Sequence, residues 1–118
     1  MMIPRSRSFS PGDVVIVPFP FTERLGEKRR PALVVSTRDY NEASAHVVLA
    51  MITTATRFPW PGDVGIVDLA ATGLPKGSTV RWKIFTLDAS LVLRRVGALA
   101  DGDRASCERG LPVRIQQD

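Results

Sequence analysis

At 118 residues the chain has room for one domain with a single hydrophobic core and excludes a two-domain architecture. Its 16 Lys+Arg outnumber 12 Asp+Glu, giving a formal charge of +4 and a pI near 10.0. That balance favours an anionic partner, with nucleic acid the leading candidate. The one cysteine, Cys107, excludes an internal disulfide and any multi-cysteine zinc site, so nothing requires an oxidising compartment and cytoplasm is the default.

The first stretch, Met1-Met-Ile-Pro-Arg-Ser-Arg-Ser-Phe-Ser10, carries arginines but no apolar leader segment, and no later run approaches the length of a membrane span. The expectation is an unexported protein with no membrane segment. Residues 1–10 are predicted to form a flexible arm ahead of one domain over residues 11–118. Val14 to Val17 is a β-branched run ended by Pro18 and Pro20, so this strand must stop or lie at a sheet edge there. Thr22 to Lys28, with Gly26 among its charges, reads as an exposed connection between antiparallel strands.

Pro31–Ser36 and Ala45–Thr53 are nearly continuous apolar runs, the pattern of strands buried on both faces. The segment between them, Thr37 to Ala43, is predicted to be a polar turn. Phe58-Pro-Trp-Pro-Gly-Asp63 breaks the chain, and Val64 to Asp68 resumes as a strand. After a glycine-containing loop, Ser78 to Leu87 alternates Val80, Trp82, Ile84 and Thr86 against Thr79, Arg81, Lys83 and Phe85, the clearest period of two in the chain. Asp88 or Ser90 is placed to cap a short helix through Leu91, Val92 and Arg95, ending near Gly97. A second short helix is predicted from Asp101 or Asp103 to Gly110, and Leu111 to Ile115 fits either a last strand or a tail. Short strands between Gly/Pro turns, with little helix, point to a mainly β fold, a small barrel with short appended helices.

The chemistry concentrates where a basic loop joins the first two strands. Lys28-Arg29-Arg30-Pro31 puts an arginine at a strand mouth, fixed by the proline after it. A guanidinium there is a rigid, permanently charged fork that matches a phosphodiester, whereas a lysine would be a looser point charge.

Taken in order, Gly12-Asp-Val-Val-Ile-Val-Pro-Phe-Pro-Phe21, Arg30-Pro-Ala-Leu-Val-Val-Ser36, Met51-Ile-Thr53, Lys83-Ile-Phe-Thr-Leu-Asp88 and Gly97-Ala-Leu99 resemble the MazF/PemK-type toxins of bacterial type II toxin–antitoxin modules. The resemblance runs over roughly residues 11 to 99. It implies an SH3-like β-barrel homodimer that cuts single-stranded RNA at short sequences without metal or other cofactor, leaving 2′,3′-cyclic phosphate and 5′-hydroxyl ends. It also implies an acidic antitoxin partner whose tail crosses the basic groove, and it assigns the active site to Arg30 and Thr53.

Attack by a 2′-hydroxyl requires proton removal there, protonation of the departing 5′ oxygen, and donors for the charge that builds on the phosphorane. No histidine pair is present, and His46, beside Val47 and Val48, reads as a structural, hydrogen-bonded imidazole. Arg30 stays protonated and is suited to stabilising charge. Thr53 offers a hydroxyl from a strand end, while Thr54 faces the other way. RNA-binding roles are expected for Lys28, Arg29, Arg81 and Lys83, and for Thr22 in the loop over the substrate. Glu23 and Glu27 oppose a purely phosphate-binding loop. Trp82 is expected in the core, while Trp60, between Pro59 and Pro61, fits either the core or a base-stacking position. Two other readings of the same barrel are a gyrase-targeting toxin and a non-catalytic nucleic-acid-binding module. The first relies on a Trp-rich C-terminal end, and this chain has no Trp after Trp82.

Overall fold

The computed structural model describes residues 8–18, 28–54 and 58–115. Six strands form one antiparallel sheet: β1 (Asp13–Pro18), β2 (Arg29–Val34), β3 (His46–Thr54), β4 (Val64–Gly65), β5 (Ser78–Asp88) and β6 (Arg94–Ala98). Their spatial order is β4-β5-β3-β2-β1-β6, and the sheet curls into a half-barrel. The helices are short: α1 (Arg38–Ser44), α2 (Leu69–Thr72) and α3 (Asp101–Gly110), with a 3-10 turn at Ala89–Leu91. This is the mainly β fold with short appended helices that the sequence predicts.

The continuous apolar runs have a direct cause, because the sheet is covered on both faces. Val15, Val17, Ala32, Val34, Val47, Leu49, Phe85 and Leu87 pack on one side with Phe9 and Val92. Val14, Leu33, Ala50, Ile52, Val80 and Trp82 pack on the other with Leu99 and Cys107. Neighbouring residues on a strand therefore serve different cores, as the alternation of side chains requires. Burial of the Cys107 thiol beside Asp103 pushes its pKa up to about 11, so it behaves as a small apolar filler.

Several expectations need correction. The predicted arm does not extend to residue 10. Phe9 is buried in the first core and its carbonyl accepts from Asn41 Nδ2, so Ser8–Ser10 belong to the domain. The polar turn after β2 is α1, which starts where the Thr37 hydroxyl accepts from the Tyr40 N–H. It was hidden because the helix buries one polar residue, Asn41, and no apolar stripe. The fourth strand stops at Gly65, since Asp68 turns the chain into α2 by accepting from Ala71 N–H.

The predicted helix through Arg95 is the 3-10 turn followed by β6. Arg94 and Arg95 pair with Ile16 and Val15, covering an edge of β1 that would otherwise be open. On β5 the buried set changes from Val80 and Trp82 to Phe85 and Leu87, leaving Ile84 38% exposed. The two cores cover different halves of this strand on opposite faces, so no single stripe runs along it. Helix α3 matches its prediction, and residues 111–115 form no strand.

Gly97 sets the contact between α2 and β6. A Cβ there would stand 2.5 Å from Ala71 O and from the Thr72 carbonyl carbon, both backbone atoms that move only with the helix. Gly97→Ala is expected to cost about 1–3 kcal/mol, read as a fall in the urea midpoint at unchanged m-value.

Candidate nucleic-acid interface

The sheet's strand directions collect its polar ends. Antiparallel pairing puts the start of β2, the end of β3 and the start of β5 at the same end of the sheet, together with Pro18 at the end of β1. On β2 and β3, Ala32 stands opposite Met51. Continuing that register by two residues on each strand puts Arg30 opposite Thr53 on the face of the first core. Thr53 in turn pairs with Thr79, and Met51 with Arg81, so one face carries Arg30, Thr53, Thr79 and Arg81 across three adjacent strands.

Lys28, Arg29 and Arg30 are exposed, whereas Thr53 is half-buried. Arg30 forms no ion pair with a described residue. Thr22, Glu23 and Glu27 lie outside the described residues.

Thr53, Thr54, Gly65, Thr79 and Arg81 line a small cleft together with Pro59 and Asp63 of the turn before β4. Arg81 does not present a free fork to it. Its Nε donates to Asp63 Oδ1 at 3.2 Å, and its Nη2 donates to Asp63 Oδ2 at 2.9 Å and to the Phe58 carbonyl at 3.1 Å. The two side chains are only 12% and 16% exposed. The Arg81 hydrogen bonds hold the Asp63 carboxyl below its ordinary value, outweighing the opposing effect of burial. Asp63 also accepts from the Trp60 N–H at 2.9 Å, and its own N–H donates to the Trp60 carbonyl at 3.0 Å. Arg81, expected to meet RNA, is thus occupied in fastening the 58–63 turn to β5.

Lys83 remains exposed, with Nζ 4.7 Å from the centre of the Trp60 ring, in cation–π contact. Trp60 is 43% exposed and Trp82 8%, which separates the two tryptophans. His46 sits at the start of β3, seven residues from Thr53 and roughly 23 Å away along the strand. Its Nδ1 lies 2.8 Å from the Ser44 carbonyl, and it takes no part in this end of the sheet.

The sequence does not reveal that Asp63 belongs here. A Pro-Gly-Asp run signals a turn, but the arginine that fixes it lies 18 residues later on another strand.

A family model for the PemK-like, MazF-like toxin of type II toxin–antitoxin systems matches residues 10–113. None of the curated proteins matches the chain. Among solved structures, the MazE–MazF structure (Form-II) from Deinococcus radiodurans superposes with a TM-score of 0.70 at 21% identity, over 88% of this chain and 92% of that one. The Mycobacterium tuberculosis toxin MazF-mt6 gives 0.67 at 23% identity, over 84% and 91%. An endoribonuclease from Mycobacterial species gives 0.66 at 24% identity, over 88% of both chains. At these identities the structural likenesses establish the fold.

Proposed function

The chain belongs to the PemK-like, MazF-like toxins of type II toxin–antitoxin systems, and from that premise we propose that it is a sequence-specific endoribonuclease acting on single-stranded RNA in the cytoplasm. What supports this reading is that the β2–β3 register, observed as far as Ala32 opposite Met51, leads on by extrapolation to Arg30 and Thr53 at the basic end of the sheet.

The reaction is a transesterification. The 2′-oxygen loses its proton and attacks phosphorus, the bond to the 5′ oxygen breaks, and that oxygen takes up a proton. The ends are a 2′,3′-cyclic phosphate and a 5′-hydroxyl, and no metal is needed to generate the nucleophile. Arg30 supplies the fixed positive charge for the phosphorane oxygens, and the Thr53 hydroxyl donates a further hydrogen bond from its strand end. Lys28, Arg29 and Lys83 attract the flanking phosphates, and Thr22 belongs to the loop that closes over the bases.

Related structures bear on the partners: one is an endoribonuclease from Mycobacterial species in complex with its cognate antitoxin. An acidic antitoxin segment laid along the basic end would compete directly with RNA. A second copy of the chain completes the assembly as a two-fold dimer. Among the described residues no helix is long and apolar enough to cross a membrane.

The test is digestion of a mixed RNA by the purified protein in excess EDTA. Fragments whose 5′ ends accept phosphate from polynucleotide kinase without prior dephosphorylation, and whose 3′ ends are cyclic phosphates, are expected. Intact RNA would count against the enzyme, and cleavage only without EDTA against the metal-free route.

A further inference from the structure

We propose that Trp60 is a base-stacking platform beside the cleft, an RNA-binding contact for a nucleotide near the scissile phosphate. The inference rests on the ribonuclease reading and adds to it a residue that grips a base rather than the backbone.

The argument starts from how this turn is fixed. A tryptophan 43% exposed leaves apolar surface in water that burial would have removed, so its position calls for a physical reason. The chain fixes the turn several times over. Prolines flank the indole at Pro59 and Pro61, limiting the backbone on both sides. The Asp63 carboxylate and N–H close the turn onto the Trp60 N–H and carbonyl. Arg81 then binds that carboxylate with two nitrogens and the Phe58 carbonyl as well, anchoring the turn to the strand that faces β3. A residue so held loses little conformational freedom when a ligand arrives, which is what a preorganised contact requires.

Its surroundings suit a nucleobase. Pro59 and Asp63, on either side of Trp60 in sequence, line the same cleft as Thr53, so the turn that carries the ring stands beside that threonine. Lys83 covers part of the ring at 4.7 Å and adds a cation beside it. A flat aromatic next to a fixed positive charge binds a stacked base and its phosphate together, the pairing by which single strands are gripped. Arg81 acts in this as a positioning residue, holding the platform without touching RNA.

The experiment uses the full chain and a short RNA containing a site mapped from the wild-type digestion, with a 2′-deoxy nucleotide at the scissile position to allow binding without cleavage. Trp60→Leu, which keeps apolar bulk and loses the ring, is expected to weaken binding about tenfold or more. For the cleavable RNA it should raise KM by a similar factor with kcat within about twofold. Trp60→Phe should restore most of both. Wild-type fluorescence should be quenched on binding, and Trp60→Phe should lose that quench because Trp82 is buried. Should Trp60→Leu bind and cut the mapped site as wild type does, stacking is overturned and the exposed ring belongs to a protein partner. Should wild type neither bind nor cut any RNA, the ribonuclease reading itself falls, which the same wild-type lane reveals.

Discussion

Arg30→Ala is expected to lower kcat/KM for single-stranded RNA by at least about a hundredfold, the scale seen when one donor is taken from a site that stabilises developing negative charge. Arg30 is exposed and forms no ion pair with a described residue, so its removal takes no support from the core and the melting temperature should hardly move. The loss should appear mainly in kcat, because charge on the phosphoryl oxygens grows toward the transition state, whereas a contact made equally to bound substrate would raise KM alone. Arg30→Lys should recover only part of the activity, since an ammonium cannot make the paired contacts of a planar guanidinium. Single-turnover cleavage with saturating enzyme measures this directly. An alanine variant within tenfold of wild type would remove Arg30 from the chemistry and leave it as one more surface charge.

The parts of the fold that could be read in the sequence are those where one local rule dominates. β2 and β3 announced themselves because strands covered on both faces need apolar residues at nearly every position, and α3 because acidic residues gather at its first turn and its glycine comes at the end. Elements set by tertiary demand were misread. Arg94 and Arg95 sit in β6 because β1 needs a second neighbour, and nothing local distinguishes that from the end of a helix. α1 is polar in sequence and depends on one buried amide.

At the candidate site the same division holds. Arg30 and Thr53 stand out only as an arginine before a proline and a threonine at a strand end, and only the antiparallel order of β2 and β3 brings both to the same end of the sheet. Arg81 shows the converse. By alternation it shares a face with Lys83, yet its charge is already matched by Asp63, a partner no spacing rule would have selected. Among the described basic residues of β2 and β5, those left to meet an anion are therefore Arg29, Arg30 and Lys83, with Lys28 just ahead of β2.

Asn41→Leu is expected to produce the largest loss of stability. The Asn41 side chain, 4% exposed, donates from Nδ2 to the Phe9 carbonyl at 3.0 Å and to the Ser36 carbonyl at 3.2 Å, and its Oδ1 accepts from the Ser36 hydroxyl. Ser36 Oγ in turn accepts from the Val48 N–H at 2.9 Å, so one amide joins the N-terminal segment, the end of β2, α1 and β3. Leucine keeps the branched shape of asparagine but is bulkier, so the cost adds overpacking to polar groups left buried without partners, each of the latter worth about 1–3 kcal/mol. Two such groups give about 3 kcal/mol, a large share of the roughly 5–15 kcal/mol that holds a domain folded. The melting temperature should fall by about 10–15 °C, scaled for a chain of this size. Phe9 loses its anchor first, so amide exchange should rise at residues 8–10 before the sheet is affected. Cleavage measured well below the new midpoint should stay close to wild type, because the network lies away from the Arg30 end of the sheet. A shift below about 3 °C would mean that water or a rearranged Ser36 takes over the bonds, and that this polar node is not what holds Phe9 in the core.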